Sequence, residues 1–262
     1  MNTILNVKNL SVNFNTTQGI IKAVDNISFS IKKGDCLGIA GESGSGKTQT
    51  FFSLTGILSD NGTAKGIAEF DNVDLLKLNE KQLSKIRGKK IGFIFQDPMT
   101  SLTPHMNIEN QLIEVSMTHD KNNKNDALKK SKEVLDIVKL PRIENLLKKY
   151  PHELSGGMRQ RVMIGISLMC DPLFIIADEP TTALDVTTQK EILKIFNDLK
   201  KYKNITIALI SHNIGVISEV ANKILIMNKG KVIEKGNCQE VLISPKHEYT
   251  KHLLSCVPKW MK

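Results

Sequence analysis

Cys36-Leu37-Gly38-Ile39-Ala40-Gly41-Glu42-Ser43-Gly44-Ser45-Gly46-Lys47-Thr48 decides the fold. The last eight residues satisfy the pattern G-x-x-x-x-G-K-[ST]; an apolar strand precedes them and a helical run starts near Lys47. Strand, loop and helix in that order are what a phosphate-binding loop requires. The glycines at 44 and 46 let the backbone wrap a β-phosphate, Lys47 should reach the β- and γ-phosphates, and the Thr48 hydroxyl should ligate magnesium. Gly41, Ser43, Ser45 and Thr50 complete the nucleotide-binding candidates of this segment. The predicted fold is α/β, a phosphate-loop core with a parallel sheet.

Two further stretches turn a phosphate loop into a motor. Leu154-Ser155-Gly156-Gly157-Met158 leads into a periodic apolar run, so Ser155, Gly156 and Gly157 place bare backbone amides at a helix N-terminus, a second site suited to phosphate. ATP held between two surfaces follows from two such ends. Leu173-Phe174-Ile175-Ile176-Ala177-Asp178-Glu179 reads as a buried central strand ending in two carboxylates. Asp178 can hold magnesium through its water shell, and Glu179 can polarise an attacking water.

With these residues in place, the chain resembles the nucleotide-binding subunit of an ATP-binding cassette (ABC) transporter over about residues 4 to 257. The resemblance implies roles for weaker signals that mean little alone. Gln96, after the strand Ile91 to Phe95, is implied to touch magnesium and water and to sense the membrane partner. Thr181-Thr182-Ala183-Leu184-Asp185 matches the segment that crosses the dimer interface. His212, after the strand Thr206 to Ser211, matches the switch histidine for the γ-phosphate, and Phe14 the aromatic on which adenine stacks. Taken alone, His212 would be a turn residue and Phe14 a core side chain.

Composition agrees with a single cassette over 1–262. A chain of 262 residues can bury a large core. It has no apolar run of the roughly 18 to 20 residues needed to span a bilayer, and no apolar leader; a chain soluble by itself on the cytoplasmic side is expected. Cys36, Cys170, Cys238 and Cys256 are far apart and form no C-x-x-C pair, so neither zinc nor a disulfide framework is expected. The net charge of +9 is carried mainly by dispersed lysines without interleaved aromatics. A solvated surface, assisted by anionic lipid, is favoured over nucleic-acid binding.

The remaining segments fill out the predicted architecture. Residues 4–14 and 20–31 read as an N-terminal antiparallel β-subdomain, and 36–95 as alternating strands and helices of the parallel core. Residues from about 98 to 152 form a helical insert, with three- and four-residue apolar spacing over Met106 to Met117 and Asp126 to Lys139. The cluster Lys121 to Lys132 reads as one exposed helix with its preceding loop. Strands at 206–211, 223–228 and 231–234 complete the core, and about 240–262 form a short C-terminal tail.

Within the family, Phe95-Gln96-Asp97-Pro98-Met99-Thr100-Ser101-Leu102-Thr103-Pro104 and Ser244-Pro245-Lys246-His247-Glu248-Tyr249-Thr250-Lys251-His252-Leu253-Leu254 are similar to segments of importers of peptides and nickel complexes. Thr103, Asn213 and Glu248 depart from the usual Asn, Asp and Pro. The chain stops soon after the tail with only Cys256 there, so no iron-sulfur cluster is expected, and a nickel or metal-chelate importer is the alternative. Long insertions and a second cassette, the marks of members acting on nucleic acid or ribosomes, are absent.

The resemblance implies a head-to-tail dimer, with a paralogue as the favoured second ATPase subunit. Gly41 to Thr48 of one subunit and Ser155 to Gly157 of the other would sandwich each MgATP. Two permeases, docking near Gln96 and the insert, and an extracytoplasmic solute-binding protein are the other implied partners. The expected place is the cytoplasmic face of the cell membrane.

Overall fold

The computed structural model describes residues 3–255. Contacts divide the chain into two units, one of Met1–Leu83 with Lys200–Lys262 and one of Ser84–Leu199.

The first unit holds an antiparallel sheet and the phosphate-loop strands. Thr3–Thr16 pairs with Gly19–Lys32 on one side and with Gly62–Phe70 on the other, and Val73–Asp74 closes the edge. Alternation sends Leu5, Val7 and Phe70 inward, leaving the opposite face to polar side chains. Here the structure corrects the sequence reading. Residues 62–74 join the N-terminal antiparallel sheet and not the parallel core, because Leu5 opposite Phe70 and Val7 opposite Ala68 bury their apolar side chains there.

The second sheet of this unit runs in the order Lys231–Asn237, Lys223–Asn228, Cys36–Ala40, Thr206–Ser211. Cys36–Ala40 is buried along its whole length between parallel partners, as its unbroken apolar run requires. Lys231–Asn237 is antiparallel to its neighbour, which makes the sheet mixed. Its connection is the turn at Lys229 and Gly230, with φ of 46° and 78°. A turn that short cannot make a parallel crossover, and two positive φ values in succession are those of a hairpin turn.

The second unit pairs Ile91–Ile94 in parallel with Phe174–Asp178. Around them lie Pro98–Ser101, Ile108–Asp120, Lys124–Ile137, Ile143–Leu147, Gly156–Leu168 and most of Val186–Lys203. The insert helices start on caps that the sequence carries: the side chains of Asn107 and Asn123 accept from the N–H of Asn110 and Asp126. The lysine-rich helix Lys124–Ile137 is amphipathic, burying Ala127, Ser131, Val134 and Leu135.

Gly165 lies in the helix Gly156–Leu168 where Lys124–Ile137 approaches. A methyl group there would stand 3.6 Å from Leu135 and 3.9 Å from Val134, ordinary van der Waals distances. Glycine in a helix interior costs about 1 kcal/mol relative to alanine. Gly165→Ala should therefore stabilise the protein by about 0.5–1 kcal/mol, read as a higher denaturant midpoint at unchanged slope.

Three features of the sequence reading concern the ends of elements. Asn213, in place of Asp, caps Ile214–Val220 by accepting from the N–H of Gly215 at 2.9 Å, a role in which the two residues are equivalent. Glu248, in place of Pro, opens Glu248–Ser255, where its charge suits the helix N-terminus and pairs with Lys251 at 2.6 Å. Cys256 lies outside the described residues.

Candidate active site

In the first unit, the loop Gly41 to Gly46 connects Cys36–Ala40 to the helix Lys47–Thr55. Lys47 is 7% exposed, and its ammonium donates to the carbonyls of Gly41 at 2.8 Å and Glu42 at 2.9 Å. The ammonium is thus drawn back into the loop it serves. Gly44 has φ of 78° with open space beyond it, and Gly46 has φ of 97° with the Ala23 carbonyl 2.3 Å from where a Cβ would sit. Only glycine combines those angles with that approach.

The loop is tied through Gly230 to the strand Gly19–Lys32. The Gly230 N–H donates to Ser45 O at 3.0 Å, and Asp25 N–H donates to Gly230 O at 2.8 Å. Ser45 is 3% exposed, and its hydroxyl oxygen is buried without a hydrogen-bond partner. An orphaned buried hydroxyl costs free energy unless something else satisfies it. Together with the helix N-terminus and the concave amides of the loop, it fits a phosphate group.

Thr50 does not belong with these residues. It is buried, and both its N–H and its hydroxyl donate to Gly46 O, at 3.0 and 2.9 Å. Two positions along a helix is about 200° of rotation, so Thr50 faces the core when Thr48 and the loop face outward. Ser43 is exposed on the loop and Thr48 is half-buried.

The strand register places His212 beside this loop. Ala40 pairs with Ser211, so Gly41 and His212 leave adjacent C-terminal strand ends, where ligands of parallel sheets bind. His212 is exposed in the bend before Ile214–Val220. Phe14 is half-buried on Thr3–Thr16, opposite Ile21 and Gly62, and its ring edge would stand 2.8 Å from a Cβ at Gly62. A flat face beside Phe14 depends on that glycine.

The second unit repeats the arrangement of strand ends. Ile94 pairs with Ala177, so Phe95-Gln96 and Asp178-Glu179 leave side by side. Gln96 is exposed in the bend between Ile91–Ile94 and Pro98–Ser101. Asp178 is buried, and Glu179 is 9% exposed with φ of 48°. A left-handed conformation at a glutamate is unusual; here the turn that follows holds it, with Thr182 N–H donating to Glu179 O at 3.1 Å and the Thr182 hydroxyl to its carboxylate at 3.0 Å.

Ser155 caps Gly156–Leu168 by accepting from the Met158 N–H at 3.3 Å. Asp185 stands at the head of Val186–Lys203 and accepts from the Thr188 hydroxyl at 2.6 Å and N–H at 2.9 Å. The Thr188 hydroxyl and then its N–H hold the Asp185 carboxyl below the ordinary carboxylate range. The two helix starts meet: a Cβ at Gly157 would come within 2.5 Å of the Thr188 methyl. Sequence reading singled out Ser155, Gly156, Gly157 and Asp185 but not Thr188, although its place three residues after Asp185 is the ordinary signal of a capped helix start.

Among the described residues no group of three or more His, Cys, Asp or Glu could hold a metal ion. A magnesium ion suits such a site as a partner of nucleotide phosphates, needing only one or two protein ligands. Cys36, Cys170 and Cys238 are buried free thiols. Burial pushes Cys36 and Cys170 up to about 12 and Cys238 up to about 11, so all three stay protonated.

A phosphate loop with a lysine at its helix start in one unit, and in the other a carboxylate pair ending a parallel strand and a serine-capped glycine helix, are the parts of a nucleotide-binding cassette. Residues 24–182 match the ABC transporter family, and the chain belongs to it. Among its relatives is OppD of Escherichia coli (strain K12), an oligopeptide transport ATP-binding protein. It is 48% identical over 256 residues, which are 98% of this chain and 76% of that protein. The dipeptide transport ATP-binding protein DppD of Bacillus subtilis (strain 168) is 42% identical over 261 residues, 99% of this chain and 78% of the relative. Of solved structures, the dimeric ATP-binding cassette MJ0796 bound to ADP and phosphate superposes with a TM-score of 0.80 at 28% identity, covering 89% of this chain and 98% of that one.

Proposed function

We propose that this chain is the ATP-hydrolysing subunit of a peptide importer, working at the cytoplasmic face of the cell membrane with two permease subunits, a second ATPase subunit and an extracytoplasmic binding protein. The likeness to oligopeptide and dipeptide transport ATP-binding proteins over nearly the whole chain carries this reading. No helix among the described residues is long and apolar enough to cross a membrane; the permeases would supply the path for cargo. Exposed Phe95 and Met99 flank Gln96 and offer apolar surface for a permease segment.

Each residue then has a task. Lys47 and the amides of Gly44 to Thr48, with the Ser45 hydroxyl, bind the β- and γ-phosphates, and Gly41 and Ser43 shape the loop. Phe14 stacks on adenine. Thr48, Asp178 and Gln96 hold magnesium, which neutralises charge on the transferring phosphate. Glu179 takes the proton of the attacking water, and His212 contacts the γ-phosphate. Ser155, Gly156, Gly157 and Asp185 belong to the surface that meets the partner subunit's nucleotide. Closure of the dimer is favoured by ATP because only the closed state makes both sets of contacts.

The test is ATP hydrolysis by this subunit assembled with its permeases and binding protein in liposomes. Stimulation by short peptides is the expected result. Stimulation by nickel chelates and not by peptides would move the cargo to metal complexes.

A further inference from the structure

The helix Glu248–Ser255 reaches back to the phosphate loop. Tyr249 is half-buried, and its hydroxyl oxygen accepts from the Glu42 N–H at 3.2 Å. That N–H belongs to the same peptide group as the Gly41 carbonyl, which accepts from the Lys47 ammonium at 2.8 Å. One rigid peptide plane therefore has the phosphate-binding lysine at one end and the tail phenol at the other. Rotating it breaks both bonds. Gly41, with φ of 152°, is the residue whose backbone would otherwise let it turn.

Tyr249 is itself held in place. The Glu234 carboxylate, on the edge strand Lys231–Asn237, accepts from the N–H groups of Lys246 at 2.9 Å and His247 at 3.1 Å. Tyr249 N–H donates to His247 Nδ1 at 3.1 Å. Burial pushes the Glu234 carboxyl up, but the Lys246 N–H, the Thr250 side chain and His247 together outweigh it and leave the group below its ordinary range, so the clamp is charged at neutral pH. Burial also raises the Tyr249 phenol, which keeps its proton.

We propose that Tyr249 is a positioning residue for the phosphate loop. It fixes the Gly41–Glu42 peptide so that docking of the C-terminal helix and binding of nucleotide favour one another. The proposal rests on the reading of Gly41 to Thr48 as the nucleotide site. Coupling of this kind is reciprocal: if the docked helix raises nucleotide affinity, nucleotide must hold the helix down by the same factor.

The experiment titrates wild-type protein, Tyr249→Phe and Glu234→Gln with a fluorescent ATP analogue, and follows hydrolysis and amide hydrogen exchange over residues 246–255. Tyr249→Phe keeps the ring and loses the hydroxyl, and should weaken binding by about 3- to 10-fold, the range of one neutral hydrogen bond. The KM for ATP should rise while kcat at saturation holds. Glu234→Gln touches the loop only through the helix, so it should act in the same direction, and the double variant should fall short of additivity. ATP should slow exchange over 246–255 in the wild type and less so in Tyr249→Phe. A Tyr249→Phe protein that binds ATP as tightly as the wild type would overturn the proposal and leave the nucleotide site intact. Wild-type protein that bound no ATP would overturn both.

Discussion

Replacing Lys47 with alanine should lower ATP affinity by about 100-fold or more and abolish measurable hydrolysis. The ammonium is nearly buried and held by the carbonyls of Gly41 and Glu42. Alanine removes the positive charge proposed to meet the β- and γ-phosphates and the two bonds that draw the loop closed. Truncating one partner of a buried charged pair costs about 2–5 kcal/mol, and each 1.4 kcal/mol is tenfold in affinity. The loop's amides, Gly44 and Ser45 remain, so weak binding should survive. Equilibrium titration with a fluorescent nucleotide gives the answer, and a loss under threefold would mean the lysine is not the phosphate anchor.

Glu179→Gln should leave ATP binding nearly intact and slow hydrolysis by about 100- to 10,000-fold, the usual contribution of a general base. The side chain keeps its shape and can still accept from the Thr182 hydroxyl, so the left-handed turn at 179 should persist. A rate loss without a stability loss would then be chemical. The variant should also accumulate as an ATP-bound dimer on size-exclusion chromatography, because opening would wait on hydrolysis. Wild-type single-turnover rates in Glu179→Gln would remove the carboxylate from the mechanism.

The parts of this molecule that were legible in the sequence are those whose geometry is dictated locally. The loop Gly41 to Gly46 needs glycines because its own backbone takes positive φ, and Ser155 announces a helix start by a side chain that bonds three residues on. Partnership between distant segments is less visible. Residues 62–74 alternate like many strands, and nothing local says that Leu5 and Val7, and not a core strand, will be their neighbours. Thr50 stands two positions from Thr48 in sequence, and the helix turns that closeness into opposite faces. Tyr249 lies 207 positions from the amide it meets, and the approach of Thr188 to Gly157 exists only when the two helix starts pack together.

The Lys229–Gly230 turn carries a consequence for synthesis of the chain. Its glycine holds Ser45 on one side and Asp25 on the other, so three segments far apart in the chain must be present before the phosphate loop is fully braced. A ribosome that has completed the loop has many codons still to translate before the brace emerges from its exit tunnel. Through that interval the nascent subunit carries every residue of its nucleotide anchor and lacks the support that shapes it, so tight ATP binding should begin late in translation.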